Sequence, residues 1–70
     1  MRVELTTKGG VRYIVFKVEQ VGKEPYWKAG KFEGADEAWG EAPDLSDALY
    51  GAGITPMMRF ILFTLCAAVG

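Results

Sequence analysis

Five carboxylates and one serine in the middle of the chain are the side chains best placed to do chemistry. Paired carboxylates can act as general acid and base, and clusters of them can bind calcium. The spacing does not follow the calcium-loop pattern, and an acidic run of this kind is typical of a solvated loop. The sequence therefore predicts neither a metal site nor a catalytic pair among Asp36, Glu37, Glu41, Asp44 and Asp47.

The candidate nucleophiles have no base beside them. Ser46 is the only serine and precedes Asp47, an arrangement that is typical of the first turn of a helix. Cys66 is the only cysteine and has apolar neighbours, which indicates a buried small hydrophobic residue. Because the chain contains no histidine, neither group has the usual activating base. We therefore predict no catalytic residue, no cofactor and no enzymatic activity.

The size of the chain limits how it can be stabilised. Seventy residues form one small domain, which buries only about 60% of the surface of its unfolded chain. Small domains usually gain stability from disulfides, metal ions or further subunits. One cysteine cannot form an intrachain disulfide, and without histidine a metal site has lost its commonest ligand. Association with a second copy or with a partner protein is the remaining source of stability.

Charge is distributed unevenly along the chain, although the net charge is only −1. Residues 1–32 carry seven basic and three acidic side chains, whereas residues 33–70 carry one basic and six acidic side chains. Either the two halves attract each other in the fold, or the acidic segment faces a basic partner. The first residues lack the apolar segment of a signal peptide, so a cytoplasmic location is predicted.

The first half of the chain predicts three antiparallel strands at residues 2–7, 11–21 and 26–32. Alternating apolar and polar residues, with β-branched and aromatic types, indicate half-buried strands, and the short connections favour a meander. Alternation places one set of side chains toward the core: Val3, Leu5, Ile14, Phe16, Val18, Trp27 and Ala29.

Residues 33–43 predict an acidic loop, with one short turn or a fourth edge strand as alternatives. Two glycines and a proline interrupt any periodicity, and Trp39 is the only large apolar side chain. Trp39 either folds back to close one end of the core or is exposed as an interface anchor. In the second case Asp36, Glu37 and Glu41 flank it as candidate interface residues.

Two helices are predicted after this segment. Asp44 is a good N-cap for a short helix with Leu45, Ala48 and Leu49 buried, and Gly51 is suited to end it. Thr55 and Pro56 predict the start of a C-terminal helix. At 100° per residue, one wide apolar face of that helix is expected to pack on the sheet: Met57, Met58, Ile61, Leu62, Leu65 and Val69.

The opposite side of the C-terminal helix is also apolar. It carries Phe60, Phe63 and Ala67 where a surface helix normally presents charged residues. The short helix and the acidic loop could cover this side, a second copy or another protein could bury it, or the segment could enter a membrane. Residues 57–69 are too few to span a bilayer, and a longer span would place Arg59 inside it.

These observations predict an α+β domain, with a three-stranded antiparallel meander packed against a C-terminal helix and preceded by an acidic loop and a short helix. The predicted function is that of a non-catalytic protein-binding module, an adaptor or inhibitor that covers a partner's surface and forms a homodimer. Such a protein suits a virus-encoded inhibitor. The alternatives are a membrane-associated protein and a nucleic-acid binder with a basic, aromatic sheet face: Arg12, Tyr13, Lys17, Tyr26, Lys28 and Lys31.

Overall fold

The protein has an antiparallel sheet of four strands, in sequential order, with two helices on one face. The computed structural model describes residues 1–69. The elements of this part of the chain are β1 (Arg2–Thr6), β2 (Arg12–Val18), β3 (Tyr26–Glu33), β4 (Asp36–Ala42), α1 (Leu45–Gly51) and α2 (Pro56–Val69). The α+β class and the antiparallel meander are confirmed, but the prediction of three strands is wrong by one.

The additional strand, β4, lies in the segment for which an acidic loop is the main prediction. A tight turn with Gly34 at a φ of 61° joins it to β3. In the register of the two strands, Glu33 pairs with Asp36 next to the turn and Trp27 pairs with Ala42 at the far end. Asp, Glu, Ala and Gly are poor strand formers. Hydrogen bonding to β3, rather than local preference, therefore makes this segment a strand.

The helices cover the face of β2 opposite to the one predicted. Tyr13 and Val15 are buried against them, whereas Phe16 and Val18 are half-buried on the other face. Ile14 is buried on that other face as well, between the Glu4 and Gly30 positions of the adjacent strands. The prediction that Ile14, Phe16 and Val18 face the helices is wrong.

Small residues on the neighbouring strands explain which face the helices cover. Ala29 and Gly40 share a face with Val15 and leave room for α1. The opposite face carries Phe32 and Trp39, which would hold a helix away. The predicted inward positions of Val3, Leu5, Trp27 and Ala29 are confirmed, since all four belong to or pack against the core cluster.

Helix α1 begins as predicted. The side chain of Asp44 accepts a hydrogen bond from the backbone N–H of Asp47 at 3.3 Å, and the predicted residues Leu45, Ala48 and Leu49 are buried. The end of the helix differs, because Gly51 remains helical and the left-handed position falls at Gly53, with a φ of 72°.

Helix α2 is rotated from its predicted orientation. It buries Leu62 and Cys66, with Met58 half-buried. The guanidinium of Arg59 donates to the carbonyl of Ile54, in the connection between α1 and α2, at 3.1 Å. Four residues predicted to pack on the sheet are instead exposed: Met57, Ile61, Leu65 and Val69.

Candidate interaction surfaces

The candidate interface residues lie on two different layers of the molecule. Phe60, Phe63 and Ala67 are exposed on α2. Glu37, Trp39 and Glu41 alternate along β4 on the sheet face that the helices leave uncovered, here called the open sheet face; Asp36 starts β4 with the opposite parity. The structure therefore does not bring all seven residues into one site.

The exposed side of α2, here called the α2 surface, is large and apolar. Met57 is 75% exposed and Phe60 is 63% exposed, and neither α1 nor β4 covers them. Together the exposed side chains form a contiguous apolar surface along the helix, a feature that is typical of interaction sites. The surface comprises Met57, Phe60, Ile61, Phe63, Thr64, Leu65, Ala67 and Ala68.

The α2 surface presents no charge. Arg59 is the only charged residue within Pro56–Val69. Its guanidinium contacts the carbonyl of Ile54 and the ring of Tyr50, whose centroid lies 5.3 Å from the guanidinium carbon. The Thr64 hydroxyl donates to the carbonyl of Phe60 at 2.8 Å. The polar groups near this surface are thus already engaged within the chain.

The ends of α2 are electrostatically uncompensated. Its first turn contains no acidic residue and its last turn contains no basic residue. A helix carries a partial positive charge at its start and a partial negative charge at its end, and charged side chains of opposite sign usually offset them. An oppositely directed helix lying alongside α2 would offset both.

The open sheet face is organised around Trp39. Its ring lies across Gly30, where an added Cβ atom would come within 2.8 Å of it, and meets Phe32 edge-on with centroids 5.5 Å apart. The Lys28 ammonium lies 5.3 Å from the Trp39 centroid, and the indole N–H donates to Glu37 at 2.7 Å. Trp39 is 39% exposed, so it neither closes the helix-side core nor projects freely as an anchor.

Ion pairs complete this layer. Glu4 accepts hydrogen bonds from Arg12 at 3.0 Å and from Arg2 at 3.3 Å, and these two bonds lower the pKa of Glu4 below its ordinary value of 4.5. Lys28 pairs with Glu41 at 3.3 Å. Lys28 and Glu41 belong to the basic and acidic halves of the chain, so this pair agrees with the alternative in which the two halves attract each other. The individual partners depend on the register of the strands and were not predicted.

The basic and aromatic set predicted to bind nucleic acid is divided by the sheet. Arg12, Tyr26 and Lys28 have one parity and lie on the open sheet face. Tyr13, Lys17 and Lys31 have the other parity and lie on the helix side, where Tyr13 is buried. Because Arg12 and Lys28 already have carboxylate partners, the open sheet face offers a nucleic acid little unpaired positive charge.

The candidate chemical groups are dispersed. Burial raises the pKa of the Cys66 thiol, which disfavours the reactive thiolate. Within residues 1–69 no three acidic or cysteine side chains come together as a group that could hold a metal ion. The carboxylate of Asp44 caps α1 by accepting from the backbone N–H of Asp47.

Two further results do not depend on a single site. None of the helices found in residues 1–69 combines the length and the apolar character needed to cross a bilayer. Comparisons with protein families, curated proteins and solved structures found no significant match. The exposed surfaces therefore provide the basis for a functional proposal.

Proposed function

We propose that this protein is a non-catalytic protein-binding module whose α2 surface packs against another polypeptide chain. The observation that carries the proposal is the display of bulky apolar side chains, Met57, Phe60 and Phe63 among them, on a helix side without charge. Exposed apolar patches of this size are typical of interaction sites.

The energetics favour an apolar protein partner. Fully burying an exposed phenylalanine contributes about 1.5–3 kcal/mol, and both Phe60 and Phe63 are available. Because α2 contributes only Leu62 and Cys66 as buried residues, a partner would also hold this helix against the rest of the domain. Binding would then stabilise the fold that presents the surface.

A module of this kind acts as an adaptor or as an inhibitor, because a partner that buries α2 has part of its own surface covered. The complementary surface is a hydrophobic helix or groove, as in other interactions in which one helix supplies the apolar contacts. This mode of action suits a virus-encoded inhibitor of a host protein.

Photo-crosslinking tests the proposal. A photoreactive phenylalanine analogue replaces Phe60, and in a matched control it replaces Val21, which is fully exposed in the β2–β3 connection. In the cells that produce the protein, we expect irradiation to give a discrete protein adduct from position 60 and none from position 21. An absence of adducts from position 60, with the protein folded and expressed, would contradict the proposal.

A membrane surface is the alternative occupant with the same apolar chemistry. Helices that lie in the membrane interface usually carry several lysine or arginine residues on their polar side. In α2 the single basic residue, Arg59, is directed to Ile54 and Tyr50. The α2 surface therefore fits a protein better, and vesicle binding is included as an outcome of the experiments below.

A further inference from the structure

We propose that the occupant of the α2 surface is α2 of a second copy, with the two helices antiparallel about a two-fold axis near their midpoints. The proposal rests on the proposed function and specifies the partner. It follows from the taper, the spacing and the electrostatics of the exposed helix side.

The middle of the α2 surface tapers from large to small side chains. Along its central strip the first half presents Met57, Phe60 and Ile61, and the second half presents Thr64, Ala67 and Ala68. Phe63 and Leu65 lie at the two edges of this strip. In an antiparallel pair the bulky half of each helix faces the small half of the other. A parallel pair would oppose Met57 to Met57 at one end and leave a gap between alanines at the other.

The positions along this strip have the spacing of a helix–helix seam. Met57, Phe60, Thr64 and Ala67 are separated by three, four and three residues, the alternation that keeps one side of a helix facing a partner. Ile61 and Ala68 flank the strip in the same order. A globular partner with a shallow pocket would not require this continuity along the length of α2.

Electrostatics favour a copy of the same helix. In a two-fold dimer the same surface of both copies forms the interface, so charged residues on that surface can face residues of the same charge. The α2 surface has no charge to oppose. An antiparallel copy also places the negative end of one helix beside the positive end of the other, which supplies the compensation that the first and last turns lack.

The available area suits a weak but specific dimer. A single helix of 14 residues provides a small contact area, near the lower limit of specific interfaces, which is about 1,200 Å² in total. We therefore expect a dissociation constant in the range of about 1–100 μM.

Sedimentation equilibrium tests self-association. We expect the wild-type chain to be dimeric at high concentration, and we expect Phe60→Asp to raise the dissociation constant at least about a hundredfold, because two buried contacts are replaced by carboxylates. Val21→Asp adds the same charge at an exposed position away from α2 and should leave the dimer intact. Circular dichroism of the variants checks that each remains folded.

Cysteine pairing tests the orientation. Two single variants, Met57→Cys and Ala68→Cys, are mixed and oxidised; Cys66 stays in place, because it is buried, and the wild-type chain measures its background. The antiparallel pair brings position 57 of one copy beside position 68 of the other, so the mixed disulfide should form. Positions 57 of the two copies would be about 16 Å apart along the axis, too far for a disulfide.

Each outcome decides between occupants. Dimerisation that is lost in Phe60→Asp, together with the mixed disulfide, supports the proposal. Absence of the mixed disulfide, or homodisulfides at position 57, overturns the antiparallel arrangement. A wild-type chain that stays monomeric at millimolar concentration overturns self-association.

The proposed function is judged separately. A monomeric wild type with a heterologous adduct at position 60 would leave the function standing with a different partner. Co-sedimentation of wild type, but not of Phe60→Asp, with phosphatidylcholine vesicles would point to a lipid occupant and overturn both proposals if no protein adduct forms. Dimerisation unaffected by Phe60→Asp would show that copies associate through another surface.

Discussion

A single glycine allows α1 to approach the sheet closely. Gly40 in β4 lies against the backbone of α1, where an added Cβ atom would be 2.6 Å from the nitrogen of Ala52 and 2.8 Å from the carbonyl carbon of Gly51. These are backbone atoms that cannot rotate away. The approach lets Ala48 and Leu49 become fully buried, so the absence of one side chain is a requirement of the core.

Gly40→Ala is expected to lower the free energy of unfolding by about 2–4 kcal/mol, because the clash forces α1 away from the sheet. Chemical denaturation followed by circular dichroism measures the change. Gly9→Ala is the matched control, since its Cβ atom would meet only the Thr7 hydroxyl at 3.9 Å, and it should change stability by less than about 1 kcal/mol. Equal effects of the two substitutions would contradict the packing role of Gly40.

At the scale of the elements, α1 is short and depends on its first turn. It spans only Leu45–Gly51, which is below the length at which an isolated helix is stable. The carboxylate of Asp44 satisfies the N–H of Asp47, and the carbonyl of Asp44 accepts from Ala48 at 3.1 Å. The cap and the burial of its apolar residues together hold α1 on β3 and β4.

Asp44→Ala should lower the free energy of unfolding by about 1 kcal/mol, because the N–H of Asp47 loses its acceptor. Asparagine caps helices about as well as aspartate, so Asp44→Asn should retain most of the stability. Thermal or chemical unfolding of the three proteins compares them. If Asp44→Asn were as destabilising as Asp44→Ala, the charge rather than the cap would be the important property.

At the scale of the whole molecule, the two faces of the sheet differ in how their outer surfaces are covered. The side chains of the open sheet face contact one another, as in the pairing of Lys28 with Glu41 and Trp39. On the helix side, no element of residues 1–69 forms such a layer over the outer side of α2. One face of the molecule therefore carries polar and aromatic side chains that contact one another, and the other carries the exposed apolar side of α2.

Dimerisation through α2 would make thermal stability depend on protein concentration. A tenfold increase in concentration should raise the melting temperature of the wild type by a few degrees, because mass action favours the associated folded state. Phe60→Asp should show no such dependence, whereas Val21→Asp should behave as the wild type. Calorimetry at several concentrations provides the measurement, and a constant melting temperature of the wild type would speak against dimerisation.

Much of the fold could be predicted because it depends on local signals. Alternation identified β1 to β3, and the inward positions of Val3 and Ala29 followed from it. Asp44 marked the start of α1, since an N-cap is a property of neighbouring residues. Helical spacing also identified Phe60 and Phe63 as part of a second apolar side of α2, whereas their exposure, one of the alternatives left open, is shown by the structure.

The sequence by itself determined most of the regular segments, with residues 36–42 as the exception, and it showed that α2 is apolar on two sides. Tertiary structure decided the rest, because those features depend on contacts between distant residues. Pairing with β3 made residues 36–42 a strand, the space at Ala29 and Gly40 selected the covered face, and burial of Leu62 and Cys66 in the core set the rotation of α2. That rotation exposed Met57 and Ile61 beside Phe60, and so joined two predicted sides of a helix into one surface.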